Sequence, residues 1–141
     1  MTRYRHTQIG WTTIAIMTVG VAVFVAILMH DGGIVGIVGL LIVGAALAAF
    51  STLTIEITDQ ALRFHFSFGL FAREIPLAAI AECAEVQISI LYGWGIRMTP
   101  AGKLYNVSGR KGVELRLRGG ERLLLGSDEP ARVCAALNQP R

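Results

Sequence analysis

Charge is scarce in the first third of this chain of 141 residues. Between Arg5 and Glu56 the only charged side chain is that of Asp31, and charged residues make up 16% of the whole sequence. A soluble globular domain carries roughly 25%. The deficit excludes a disordered or purely water-soluble segment there, whereas the sequence from Ser51 onward has the charge density of a small water-exposed domain.

Residues suited to catalysis or metal binding are few and scattered. The two cysteines, Cys83 and Cys134, lack Cys-x-x-Cys spacing, so the sequence indicates neither a zinc site nor a redox pair and predicts two small core residues. Glu82 and Glu85 would point to opposite faces of a strand, and no phosphate-binding loop or nucleophile motif occurs. The sequence therefore predicts no enzyme, no cofactor and no metal site.

Two apolar runs predict a transmembrane helical hairpin. As a helix, the run over residues 9–29 is about 31 Å long, close to the hydrocarbon thickness of a bilayer, and residues 34–52 form a second predicted span. Residues 30–33 are the short outer loop between them, and residues 1–8 are predicted as a cytoplasmic N-terminal tail. A cleaved signal peptide is the alternative for the first run, but no small-residue cleavage site follows it.

Small residues at intervals of four predict where the two helices touch, because helices in lipid associate through close backbone contact. Neither span carries Asp, Glu, Lys or Arg, which favours an anchor over an ion pathway. The predicted packing residues are Thr18, Ala22, Ala26, Gly36, Gly44 and Ala48.

The orientation is predicted from the basic residues that flank the spans. Arg3 and Arg5 precede the first span, Arg63 and Arg73 follow the second, and the loop between the spans has no Lys or Arg. Because cytoplasmic segments are enriched in Lys and Arg, both termini are predicted to be cytoplasmic, in an inner (cytoplasmic) membrane.

Residues 53–141 are predicted to form a small β domain, because apolar and polar residues alternate with a period of two. About seven short strands are expected, followed by a C-terminal helix that begins at a Ser127 cap. The whole chain is then a membrane-anchored α+β protein, with an antiparallel β-barrel or sandwich closed by that helix. The clearest inward-facing residues are Leu53, Ile55, Ile57, Leu62, Phe64, Phe66 and Phe68.

Short motifs of the β domain resemble those of bacterial pleckstrin-homology-like proteins with an N-terminal two-helix membrane anchor. The motifs are Gly93-Trp94-Gly95-Ile96-Arg97, then Tyr105 with Ser108-Gly109, then Gly112-Val113-Glu114-Leu115, and Gly126-Ser127-Asp128-Glu129-Pro130. The resemblance implies a bent seven-stranded domain with a helix at one end, tethered to a membrane, and implies no chemistry. It departs from inositol-lipid-binding relatives, because the first turn of the domain is Thr58-Asp59-Gln60 rather than a basic loop.

An apolar connection and a basic stretch supply the candidate interaction residues. Tyr92 and Trp94 lie in the apolar connection over residues 88–94, where a partner or the lipid headgroup region is an alternative to core packing. Seven basic and two acidic residues lie between Ile96 and Gly126. The basic candidates are Arg97, Lys103, Arg110, Lys111, Arg116 and Arg118.

These features lead to one functional hypothesis and two alternatives. The leading hypothesis is a non-catalytic integral membrane protein whose β domain binds a protein partner or further copies of the chain at the membrane. The first alternative is a module that responds to anionic lipid through a basic strand face. A small-molecule carrier or enzyme is less favoured, and nucleic acid is not an expected partner because exposed aromatics do not alternate with the basic residues.

Overall fold

The computed structural model describes residues 1–140, and in that range the chain forms nine β-strands and three α-helices. Their bounds are β1 Thr2–Ile9, α1 Trp11–Asp31, α2 Ile34–Phe50, β2 Thr52–Thr58, β3 Ala61–Phe66, β4 Arg73–Pro76, β5 Ile80–Gln87, β6 Gly95–Thr99, β7 Gly102–Asn106, β8 Lys111–Leu117, β9 Arg122–Gly126 and α3 Pro130–Leu137.

The strands form two open sheets rather than the closed barrel that was one of the predicted forms. The first sheet has the order β1-β2-β3-β4 and the second has the order β5-β8-β9-β7-β6. All neighbouring pairs are antiparallel except β7 and β9, which are parallel. Nine strands form where about seven were predicted, and one of the additional strands is β1, which lies in the segment predicted as a tail.

The first eight residues are part of the β domain and not a tail. Strand β1 pairs with β2 in an antiparallel register that includes Arg5 opposite Glu56 and Gln8 opposite Leu53. The helical hairpin of α1 and α2 is therefore an insertion between two neighbouring strands. Helix α1 follows β1 and α2 precedes β2 at the same end of these two strands. The N-terminus and the β domain therefore lie on one side of the hairpin.

The alternating pattern correctly predicted most of the core. Inward-facing residues of β2, β3, β8 and β9 are almost fully buried between the two sheets and α3. Phe68 is the exception, because β3 ends at Phe66 and a 3₁₀ turn over Ser67–Gly69 follows. The core members from those strands are Leu53, Ile55, Ile57, Leu62, Phe64, Phe66, Val113, Leu115, Leu123 and Leu125.

Helix α1 is long and apolar enough to cross a membrane, whereas α2, with 17 residues, is apolar but shorter. Helix α1 begins at Trp11, two residues after the start of the predicted span, since Ile9 belongs to β1 and Gly10 occupies the N-cap position. Only 6% of the residues in the most apolar 18-residue stretch of α1 are buried. The hairpin thus presents an almost continuous apolar surface that no other part of residues 1–140 covers.

Of the six predicted packing residues, Gly36 lies in the contact between α1 and α2, and Gly39, which was not predicted, lies there too. A side chain added at Gly36 would meet the backbone of Leu28 at 3.0 Å, and Gly39 lies directly beneath the Phe24 ring. By contrast, no atom lies within 4 Å of a side chain added at Gly44. Glycines here accommodate large residues of the opposite helix, and the four-residue interval identified Gly36 but not Gly39. Four other predicted packing residues are exposed: Thr18, Ala22, Ala26 and Ala48.

The cysteines were wrongly predicted to be independent core residues, because Cys83 and Cys134 form a disulfide. Cys83 lies in β5 and Cys134 in α3, 51 residues later, with Cα atoms 5.5 Å apart. The bond attaches the C-terminal helix to the second sheet. Disulfides persist mainly in oxidising compartments, which disagrees with the predicted cytoplasmic orientation.

Candidate functional site at the hairpin end

Two opposite ends of the β domain differ in their contacts with the helices. We call the end that carries α1 and α2 the hairpin end; its loops are residues 67–72, 88–94, 107–110 and 127–129. The opposite end, the far end, is made by turns at residues 59–60, 77–79, 100–101 and 118–121. The two chain crossings between sheet and hairpin meet at the hairpin end, where Gly10 N donates a hydrogen bond to Ser51 O over 2.7 Å.

Short hydrogen bonds attach two of these loops to the bases of the helices. Ser67 Oγ lies 2.9 Å from Ser51 Oγ and accepts a hydrogen bond from Thr52 N at 3.1 Å. On the other side, Ser108 Oγ lies 2.9 Å from Thr12 Oγ1, and Thr13 Oγ1 donates to the carbonyl of Val107. The loops over residues 67–72 and 107–110 are therefore held at the base of the hairpin.

Large apolar side chains point outward from the hairpin end. Phe68 is 87% exposed and Leu91 is 90% exposed, although neither loop that carries them contains a charged residue. Phe68 and Phe71 both have positive φ values, 59° and 52°, which bulky residues rarely adopt and which cost strain. The fold tolerates this strain while it keeps two aromatic rings at the surface. The Phe71 ring also stacks on Phe50 of α2, with ring centres 5.5 Å apart.

The far end exposes charge instead. Asp59 contacts Arg3 Nε at 2.7 Å and the N-terminal amino group at 3.3 Å, and these cations hold the pKa of Asp59 below its ordinary value. Arg73 pairs with Glu121 of the turn between β8 and β9 at 3.0 Å. This end therefore has the polar surface expected of a face in water.

A groove lies between the hairpin and the start of β6. We call it the hairpin groove; its volume is about 510 Å³, within the roughly 300–1,000 Å³ range of ligand pockets. Its helical wall reaches Met17, about 9 Å along α1 from Trp11 at 1.5 Å per residue. The segment of residues 93–97 therefore lies alongside the hairpin rather than below it. The lining residues are Thr13, Ile16, Met17, Ala46, Phe50 and the segment Gly93-Trp94-Gly95-Ile96-Arg97.

The two aromatic candidates have different environments. Tyr92 is partly buried against a second apolar cluster of Ile88, Leu104 and Leu124, so it covers the outside of the second sheet. Trp94 lines the hairpin groove. Only Trp94 of this pair is therefore in contact with the space beside the helices.

The basic candidates do not form one face. Arg97 lines the hairpin groove and Arg110 is exposed in a loop of the hairpin end. Arg116 contacts Glu82 at 3.5 Å and Glu114 at 3.4 Å, and Arg118 lies in a turn of the far end. Distribution over both ends argues against the single basic strand face that the sequence suggested. Lys103 is the second residue of β7, and its Nζ is 5.4 Å from the Tyr105 ring centre. Lys111 is the first residue of β8 and lines one cleft with Asp128 and Glu129.

A polar cluster joins β1 to the start of α3. The Tyr4 hydroxyl donates to Glu129 Oε2 at 2.9 Å, and His6 Nε2 lies 2.8 Å from Asp128 Oδ1. Partial burial, together with the adjacent Glu129 carboxylate, raises the pKa of Tyr4 well above its ordinary value. Sequence analysis missed this cluster, since it treated residues 1–8 as a tail.

No family model, curated protein or solved structure matches this chain. The resemblance to pleckstrin-homology-like proteins therefore stays a prediction. The geometry of the hairpin end is the main guide to function.

Proposed function

We propose that this protein is a non-catalytic membrane module. The helical hairpin spans the bilayer, and the β domain rests on the bilayer surface through the loops of its hairpin end. The observation that carries the proposal is the contrast between the two ends, with exposed Phe68 and Leu91 at one and ion-paired Asp59 and Glu121 at the other.

The apolar surface of the hairpin supports the membrane part of this proposal. Monomeric soluble proteins rarely expose contiguous apolar patches larger than a few hundred Å². In α1 and α2, outward-facing residues such as Val19, Val23, Ile37 and Leu41 are all exposed, and neither helix interior carries a charge. A lipid environment satisfies these side chains, and each helix satisfies its own backbone hydrogen bonds.

The position of the loops supports contact between the β domain and the bilayer. A domain attached through two chain crossings, at Gly10 and Ser51, has little freedom to turn away from the membrane. Its hairpin end must then meet the headgroup region, where exposed Phe68, Phe71 and Leu91 can bury apolar surface. Each such side chain gains roughly 1.5–3 kcal/mol when it is fully removed from water.

The geometry favours lipid contact over the protein contact that the sequence suggested. Tyr92 packs on the β domain itself. Trp94 lies beside the base of α1, and Trp is enriched at membrane–water interfaces. Neither residue is presented toward water as an anchor for a soluble partner. Binding of a protein partner or self-association stays a prediction of the sequence.

Quenching by brominated lipid tests the proposal. In a full-length background with Trp11→Phe and Trp94→Phe, a single Trp is introduced at Phe68 or at Gln60, and the protein is reconstituted into vesicles of phosphatidylcholine with brominated acyl chains. We expect strong quenching and blue-shifted emission for Phe68→Trp, because residue 68 would lie in the interface.

The Gln60→Trp variant is the matched control, because Gln60 is an exposed loop residue of the far end. Its emission should resemble that of Trp in water and should respond weakly to brominated lipid. Equal, weak quenching of both variants would show that the hairpin end does not touch the bilayer.

A further inference from the structure

The hairpin groove combines an apolar wall with a single cation. Its helical side consists of Thr13, Ile16, Met17, Ala46 and Phe50, and no acidic residue lines it. Arg97 is the only charged side chain in the lining. A ligand that fits this groove therefore needs an apolar part on the helical side and a negative charge at Arg97.

Arg97 is available to such a ligand. Its guanidinium Nε donates to Trp94 O over 3.3 Å, and within residues 1–140 no carboxylate forms an ion pair with it. An arginine presents several N–H donors in a planar fork, which matches the oxygens of a phosphate group. The remaining donors of Arg97 can bind a phosphate without breaking an existing ion pair.

Two glycines shape the chain around this arginine. Gly93 and Gly95 have φ values of 71° and 91° and flank Trp94, so the chain turns sharply on both sides of the indole. A side chain added at Gly93 would lie 3.9 Å from Nε and Nη2 of Arg97. The backbone therefore holds Trp94 and the guanidinium beside the same groove.

We propose that the hairpin groove binds one anionic phospholipid, with the phosphate on Arg97 and the upper part of an acyl chain along Ile16, Met17 and Ala46. The inference rests on the proposed function, because the groove meets lipid only if the hairpin spans the bilayer. In that position the groove opens sideways into the headgroup region, so lipid is the ligand that can enter from the membrane.

The charge of the lining selects the headgroup class. A zwitterionic headgroup brings an ammonium group next to its phosphate, and the lining offers no carboxylate to pair with that ammonium. A headgroup with net negative charge, such as phosphatidylglycerol, leaves no cation unpaired. A soluble phosphate would satisfy Arg97 alone and leave the apolar wall in contact with water.

Native mass spectrometry of the full-length protein in detergent, titrated with phosphatidylglycerol or phosphatidylcholine, tests the proposal. We expect a 1:1 complex with phosphatidylglycerol, and we expect Arg97→Gln to weaken it about tenfold or more, as for loss of a charge-assisted hydrogen bond. Arg118→Gln is the matched control, because Arg118 is exposed at the far end; it should bind like the wild type.

A second pair of variants tests the apolar wall without a change of charge. Ala46→Phe should fill the groove and abolish the complex, whereas Ala45→Phe, at an exposed neighbour on α2, should leave it intact. Equal binding by wild type and Arg97→Gln, or equal losses in Arg97→Gln and Arg118→Gln, would overturn the proposal, as would preferential binding of phosphatidylcholine.

The quenching experiment separates this failure from failure of the proposed function. If Phe68→Trp is quenched by brominated lipid but Arg97→Gln binds phosphatidylglycerol normally, the domain rests on the bilayer and the groove is not a lipid site. If Phe68→Trp is not quenched, the membrane contact itself is wrong.

Discussion

At the hairpin end the β domain is held by hydrogen bonds and exposes large apolar side chains beside Arg110 and Asp128, whereas at the far end it is held by ion pairs and exposes mainly polar and charged residues. Ser67 and Ser108 connect the loops to the helix bases at the first end. Arg3 and Asp59 connect the N-terminus to the first sheet at the second. The disulfide between β5 and α3 adds a covalent attachment away from the hairpin. Under the proposed function, the hairpin end meets lipid headgroups and the far end meets water.

Loss of the disulfide should give the largest effect on stability. Closing a loop of 51 residues stabilises the folded state by about 4 kcal/mol in the chain-entropy model, so Cys83→Ser should lower the free energy of unfolding by about that amount. Denaturant unfolding of the detergent-solubilised protein measures it, and Cys83→Ser with Cys134→Ser should match the single variant.

Whether Cys83 and Cys134 are oxidised in cells indicates whether the β domain lies in an oxidising compartment. After acid quenching, the wild type should show no free thiol toward a maleimide until it is reduced. Two reactive thiols before reduction would contradict the disulfide and would favour the cytoplasmic orientation predicted from the flanking arginines.

A substitution at the junction of sheet and hairpin should have the next largest effect. An added Cβ at Gly10 would lie 2.9 Å from Val107 Cβ and 3.0 Å from Val107 O, so Gly10→Ala should destabilise the protein by about 1–3 kcal/mol through overpacking. Thermal unfolding in detergent measures the difference.

Gly119→Ala is the control for that experiment at the far end. No atom lies within 4 Å of a Cβ added at Gly119, so this variant should unfold like the wild type. Equal effects at Gly10 and Gly119 would show that the junction is not the tightly packed end of the domain.

The smallest effect is expected from the far-end ion pair. Arg3 and the terminal amino group lower the pKa of Asp59 in the folded state below its ordinary value of 3.8. The ionised carboxylate therefore stabilises the fold at pH values above 3.8, and this contribution is lost as the pH falls through the folded pKa. Asp59→Asn should lower the urea midpoint slightly at neutral pH and match the wild type in acid.

Glu85→Gln is the reference variant for this pH series. Glu85 is exposed and forms no ion pair within residues 1–140, so its loss should leave the urea midpoint unchanged at neutral pH. A difference between Asp59→Asn and wild type that persists unchanged in acid would show that the pair does not stabilise the domain.

Local patterns predicted the elements that have one face in the protein core and the other face in water. The alternation of Leu53, Ile55 and Ile57 with polar residues identified the buried face of β2, since a strand exposes alternate side chains to opposite sides. The same reasoning failed for Phe68, because alternation cannot show where a strand ends. Sequence flagged residues 88–94 as an apolar connection, and it did not identify the aromatic loop at residues 67–72.

The sequence by itself determined that the chain has a nearly uncharged hairpin and a β domain, because hydropathy and its period depend only on neighbours along the chain. Tertiary structure decided that β1 closes onto β2, that Cys83 meets Cys134, and that Arg97 lies beside α1. Each of these contacts joins residues far apart in the chain, so each depends on how the strands pair and on the direction in which the hairpin leaves the sheet.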